Sequence, residues 1–152
     1  MNPKRVLTKE TIILHLKSTN KDAVIEELID VLVASGRVKD RKAALKAVVE
    51  REKKMSTGLQ SGIAIPHGKT DTVETLVAAL GLKPEGLPFE SLDGQDANII
   101  VLTVSPASRT GPHIQFLADI SRTLHDAETR AKVLNADSED DVLELLAGED
   151  AD

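Results

Sequence analysis

The amino-acid sequence predicts a single domain of the α/β class spanning residues 1–152. Short apolar runs alternate with longer stretches whose apolar residues recur at helical spacing, and no segment repeats. A chain of 152 residues also buries a proper core without staples. That core must be aliphatic, because two Phe are the only aromatic residues.

Residues 12–16 read as a first strand. Thr19 or Asn20 then caps a helix running to about Ser35, with Val24, Ile25, Leu28, Val31 and Leu32 as its apolar stripe and Gly36 as its terminator. Asp40 caps a second helix that buries Ala44, Leu45, Val48 and Val49 and carries Arg51 in or near its final turn. A loop over 56–62 leads to a strand at 63–65. Further buried strands are expected at 76–82 and 98–104, joined by a turn-rich piece holding Pro84, Gly86, Pro88 and Gly94.

Pro112 suits the first position of a third helix, where its missing N–H costs nothing. Ile114, Leu117, Ile120 and Leu124 set the expected buried face, and His113 then falls about 100° away from Ile114, off the core. A last helix starts at Ser138, with Asp141 completing a capping box, and fades into a frayed acidic tail at 148–152.

Composition excludes several function classes. The chain has no cysteine, so disulfides, iron–sulfur clusters and thiolate zinc sites are out, and a cytoplasmic location is compatible. No apolar run approaches the ~20 residues that span a bilayer, and the first residues lack the hydrophobic stretch of a signal peptide. A net charge of −6 and the near absence of aromatic rings argue against nucleic acid and suit a basic protein partner.

The chemistry concentrates at 51–69. The apolar run Ile63-Ala64-Ile65 delivers Pro66 and His67 onto Gly68. Proline fixes the backbone direction, and glycine leaves room for a ligand or another backbone beside the imidazole. That setting suits an exposed nucleophile or ligand side chain. His113, near a helix start, is either a neutral imidazole at an anion site or a plain surface residue. His15 reads as an edge position and His125 as a cation complementing a helix C-terminus. Two rival readings stand beside a nucleophilic His67. One is a zinc site using His67 and His113, which lacks an evident third ligand; the other is a non-catalytic interaction module.

Glu52, Leu59 and the run from Ile63 to Gly68 resemble the signature of IIA domains of the fructose/mannitol class in the bacterial phosphoenolpyruvate:sugar phosphotransferase system. Arg51, Met55-Ser56-Thr57-Gly58, Gly111-Pro112-His113-Ile114-Gln115 and Ile120-Ser121-Arg122 extend the likeness, which is greatest to the nitrogen-regulatory branch and covers nearly the whole chain. One departure is Gln60, where the family usually has glycine; a side chain there is expected to alter the loop or narrow the approach to His67.

The resemblance implies a sandwich with a mixed β-sheet flanked by helices. It implies that His67 accepts a phosphoryl group from HPr or its nitrogen-branch paralogue, with Nε2 attacking while an acceptor holds Nδ1–H. His113 matches a supporting histidine and Arg51 an arginine at the rim of the site, whose planar fork suits phosphoryl oxygens. No cofactor, metal or nucleotide is called for, since an incoming phosphohistidine is already energy-rich. A role in nitrogen, carbon or potassium regulation is favoured; the alternative is a sugar-transport subunit passing the group to a separate IIB protein. A partner face around His67 is expected from Leu59, Ile114 and Phe116, with Gln60 inside it and acidic groups steering a basic carrier.

Overall fold

Two long antiparallel strands form the centre of the computed structural model, which describes residues 6–147. Strand β4 (Val77–Leu87) pairs with β5 (Ala97–Ser105), Val77 opposite Val104 and Leu82 opposite Ile99. β1 (Ile12–Ile13) lies parallel to β4. β2 (Ile63–Ala64) and β3 (His67–Lys69) both run parallel to β5 on its other side, so the sheet is mixed.

Side-chain alternation divides the sheet into two buried faces. Ala79, Ile100, Leu102 and Val104 meet helices α1 (Lys21–Ala34) and α2 (Arg41–Lys54) through Val24, Ile25, Leu28, Leu32, Ala44 and Val48. Ala78, Leu80, Leu82, Ile99 and Val101 belong to the opposite core. There they join residues of α3 (Gly111–Leu124), α4 (Ala127–Leu134) and α5 (Glu139–Ala147), including Phe116, Ile120, Leu124, Val133, Val142 and Leu146. Each Val, Leu, Ile or Phe side chain fully buried in these layers contributes roughly 1.5–3 kcal/mol of hydrophobic stabilisation. Among the described residues, no helix is long and apolar enough to cross a membrane.

Local signals hold where the chemistry is local. The Asn20 side chain accepts from Ala23 N–H at 2.9 Å, and the Asp40 side chain accepts from Ala43 N–H at 3.0 Å. Gly36 follows α1 with φ of 78°, a left-handed backbone that glycine adopts freely. Ser138 Oγ accepts from Asp141 N–H at 3.1 Å.

Three expectations about the strands change. The first strand covers only Ile12–Ile13, after which the chain bends, although Leu16 N–H still donates to the Leu82 carbonyl at 2.9 Å. β4 runs on through Pro84 and Gly86, because a register shift between Leu82 and Leu87 lets exposed Pro84 bulge away from the ladder. The strand expected over 63–65 stops at Ala64 and resumes as β3. Helix α4, capped by the Asp126 side chain on Thr129 N–H, fills a stretch to which the sequence assigns no element. In the first helix Ile29 is buried while Val31 is half-buried, as are Leu45 and Val49 in the second. The tail at 148–152 lies outside the described residues.

Candidate functional site

Helix α2 presses its backbone directly onto β3. A Cβ at Gly68 would stand 2.7 Å from the Val48 nitrogen and 2.8 Å from the Ala47 carbonyl carbon, so only glycine permits the approach. The room at Gly68 is thus taken by another backbone, not by a ligand. This contact sets the last turn of α2 beside His67, and the two segments enclose a cleft of about 500 Å³. Lys46, Arg51, Lys54 and Lys69 line it with His67, against one carboxylate, Glu50. The expectation of acidic steering groups therefore fails locally, because the net charge of −6 resides elsewhere on the chain.

His67 is half-buried and opens β3, rather than ending a strand as its sequence setting suggests. Its Nδ1 lies 2.9 Å from the Ile65 carbonyl oxygen. A carbonyl only accepts, so Nδ1 carries the proton and Nε2 keeps the lone pair. Burial lowers the proton affinity of the ring below its ordinary value. The Nδ1–H bond opposes that shift, and the Arg51 charge adds to it. The Arg51 Nη1 donates to the Met55 carbonyl at 2.9 Å, which fixes the guanidinium at the rim of the cleft.

His113 overturns its expected placement. It is 3% exposed and turns onto the sheet, sharing the inner side of α3 with Phe116, Ile120 and Leu124. Its Nε2 lies 2.9 Å from Thr103 Oγ1. Its ring centroid is 5.2 Å from that of His67, with the planes tilted by 59°. Burial first, then the neighbouring His67 and Lys69 charges, lower its pKa to about 4. Burial and these charges together keep the ring neutral.

The same rotation of α3 separates two docking candidates. Phe116 is fully buried and reaches no partner, whereas Ile114, expected in the core, is 64% exposed. Leu59 is half-buried and Gln60 exposed. The left-handed backbone of this loop falls on Ser61 and Gly62, with φ of 63° and 81°, rather than on Gln60. A side chain at Gln60 therefore leaves the turn intact.

Thr103 escaped the sequence reading. It is the cross-strand partner of His67 and also touches His113, so it stands at the junction of both rings. A signal existed, since Ile99, Val101 and Thr103 share one side of β5 and Thr103 breaks the apolar run before the strand ends at Ser105. His15 is exposed beyond β1 and His125 is an exposed C-cap of α3; neither approaches the cleft. Among the described residues, no group of three or more His, Asp or Glu could hold a metal, which leaves the zinc reading without a ligand set.

Residues 5–148 match the family described as the phosphoenolpyruvate-dependent sugar phosphotransferase system, EIIA 2. A fructose-specific EIIA component of Haloferax volcanii is 39% identical over 138 residues, covering 91% of this chain and 90% of that protein. A fructose-specific EIIABC component of Bacillus subtilis is 38% identical over 93% of this chain, which spans 22% of that longer protein. The crystal structure of nitrogen regulatory protein IIA-Ntr from Neisseria meningitidis superposes with a TM-score of 0.87 at 25% identity, covering 93% of this chain and 97% of that one. In a complex from Escherichia coli, enzyme IIA of the mannitol system bound to phosphorylated enzyme IIB, a chain 29% identical superposes with a TM-score of 0.81; the match covers 94% of this chain and 98% of that one. With a family match across nearly its full length and a relative 39% identical over 91% of it, the chain belongs to the EIIA 2 family of the phosphotransferase system.

Proposed function

We propose that this chain carries a phosphoryl group on Nε2 of His67, received from the phosphohistidine of an HPr-type protein or its nitrogen-branch paralogue. The observation that supports this most is the Ile65 carbonyl at His67 Nδ1, which leaves the Nε2 lone pair as the nucleophile. Burial keeps the ring neutral near pH 7, as attack requires.

In the transfer, the donor's N–P bond breaks while the Nε2–P bond forms, and the electron pair of the broken bond returns to the donor imidazole. Positive charge then grows on the His67 ring, and the Nδ1–H bond to Ile65 strengthens with it. The transition state is loose, so the protein's task is to position the groups and balance charge on the phosphoryl oxygens. Arg51 offers its remaining N–H groups at the rim, and Lys46, Lys54 and Lys69 add positive potential within the same cleft. His113, kept neutral and tied to Thr103, packs against the acceptor ring and supports its orientation.

Two destinations follow from the relatives. Similarity to the fructose-specific components favours passing the group to a IIB-type protein, as does the likeness to a IIA chain solved with phosphorylated IIB. The close backbone match to IIA-Ntr favours a regulatory role in nitrogen, carbon or potassium metabolism.

One experiment tests the carrier step and then the destination. Incubation with phosphoenolpyruvate, enzyme I and an HPr-type carrier should place one acid-labile phosphoryl group on His67, read by intact-mass and peptide spectrometry. Label persisting in His67→Ala would sink the assignment, and an unlabelled wild type would favour a non-catalytic interaction module. Loss of label on adding a IIB-type protein supports transport; retention supports regulation.

A further inference from the structure

Glu52 stands one residue after Arg51, yet the transfer step gives it no part. It is 7% exposed, in the last turn of α2. Its Oε1 accepts from Thr57 N–H at 2.8 Å and lies 2.8 Å from Lys21 Nζ. Its Oε2 accepts from the Thr57 hydroxyl at 2.6 Å. Lys21, the first residue of α1, is itself held over the Phe89 ring, 5.1 Å from its centroid. On the far side of this contact the Thr57 carbonyl accepts from Ile65 N–H at 3.1 Å. The Ile65 carbonyl then accepts from His67 Nδ1–H at 2.9 Å. The bonds form one path from Lys21 through Glu52, Thr57 and Ile65 to the imidazole.

We propose that Glu52 is a positioning residue for His67: paired with Lys21 it fixes Thr57, and through Thr57 it aims the Ile65 carbonyl that selects the Nδ1–H tautomer. Its effect on transfer rests on the carrier reading above, while its effect on the tautomer stands apart from it. A buried carboxylate is costly unless its lone pairs are satisfied, and here two N–H or O–H donors and an ammonium satisfy them. Such a network has one low-energy arrangement, so it transmits position rather than slack. The plain alternative is that Glu52 only anchors the loop after α2, which would change stability and leave the tautomer alone.

Nitrogen NMR of the imidazoles reads the tautomer in the full chain, and phosphoryl transfer from the HPr-type carrier reads the consequence. Wild type should show His67 with its proton on Nδ1. Glu52→Leu should mix in the Nε2–H form and slow transfer on the order of tenfold or more, the scale set by small misplacements of a reacting group. Glu52→Gln and Thr57→Val, which keep volume and remove single bonds, should fall between. Val133→Ala, fully buried in the opposite layer, should lower stability with wild-type tautomer and rate.

An unmixed Nδ1–H signal in Glu52→Leu, or the same mixing in Val133→Ala, would overturn the proposal. Should Glu52→Leu fail to fold, unchanged spectra in both Glu52→Gln and Thr57→Val would overturn it equally. A wild type that shows the tautomer and its dependence on Glu52, but accepts no phosphoryl group, would sink the carrier reading and support the positioning role.

Discussion

The rings of His67 and His113 stand 5.2 Å apart, and His67 lowers the tolerance of His113 for a proton beyond what burial already does. Two imidazolium ions at that spacing repel, so the pair is stable as two neutral rings. Folded His113 binds its proton at about pH 4, whereas in the unfolded chain it does so near its ordinary value of 6.5. Between those limits the unfolded state holds more protons, so acid draws the chain toward unfolding. Stability should fall as pH drops from about 6.5 to about 4 and level off below, at up to ~1.4 kcal/mol per pH unit for the one proton. Urea unfolding at about pH 7 and about pH 4.5 checks this. His113→Gln should flatten the dependence over that interval; an unchanged slope would assign it to other groups.

Arg51 is expected to act on the rate in two separable ways. Arg51→Lys should slow transfer about tenfold or more, because an ammonium cannot bond the Met55 carbonyl and reach phosphoryl oxygens with a planar fork. Arg51→Gln removes the charge that helps burial lower the His67 proton affinity. The acid limb of its pH–rate profile should therefore move to higher pH. Wild-type rates in Arg51→Lys would place the oxygen-binding group elsewhere.

Gly68→Ala should both destabilise and slow. The added Cβ meets helix backbone at 2.7–2.8 Å, which cannot step aside without moving α2 from β3. Overpacking of this kind costs roughly 1–3 kcal/mol. Since α2 carries Arg51 and Glu52, transfer should fall by more than the loss of folded protein explains. Denaturant midpoints and transfer rates measured on the same samples separate the two effects.

The basic cleft predicts the sign of the partner's charge. Lys54→Glu and Lys69→Glu should each lower the second-order transfer rate, and the rate at saturating partner should fall by a smaller factor. Rising salt should slow wild type and have a smaller effect on the double variant. Ile114→Asp tests whether the exposed apolar side chain of α3 belongs to the same face, and should raise the partner concentration needed for half-maximal transfer. Faster transfer in the Lys→Glu variants would mean that the docking partner is basic there.

What was legible in the sequence was what short stretches decide alone. Asn20 and Asp40 cap the helices they precede, and Arg51 sits in the last turn of the second as its spacing implies. The motif around His67 also carried the family likeness, which the match over residues 5–148 bears out. The misread parts depend on distant partners. The inner side of α3 includes two polar residues, His113 and Asp119, whose burial no hydrophobic pattern reveals, and the stripe drawn through Ile114 was consequently rotated. Pro84 and Gly86 looked like a turn because only pairing as far as Leu87 with Ala97 keeps them in a strand. The burial of Glu52 depends on Lys21, supplied by a different helix.

The pause in the edge lane at Ile65–Pro66 keeps perfect count. Ile63 faces Ile99 and His67 faces Thr103, so four steps along one lane match four along the other. Pro66 contributes its carbonyl to Thr103 N–H at 3.0 Å and, lacking an N–H, asks for nothing in return. Because successive side chains alternate between faces, inserting or deleting one residue between Ala64 and His67 would turn the imidazole toward α2 and bring Gly68 or Pro66 opposite Thr103. The spacing between strand and histidine is thus as restrictive as the histidine itself: substitutions in this segment are graded in effect, but a change of length is all or nothing.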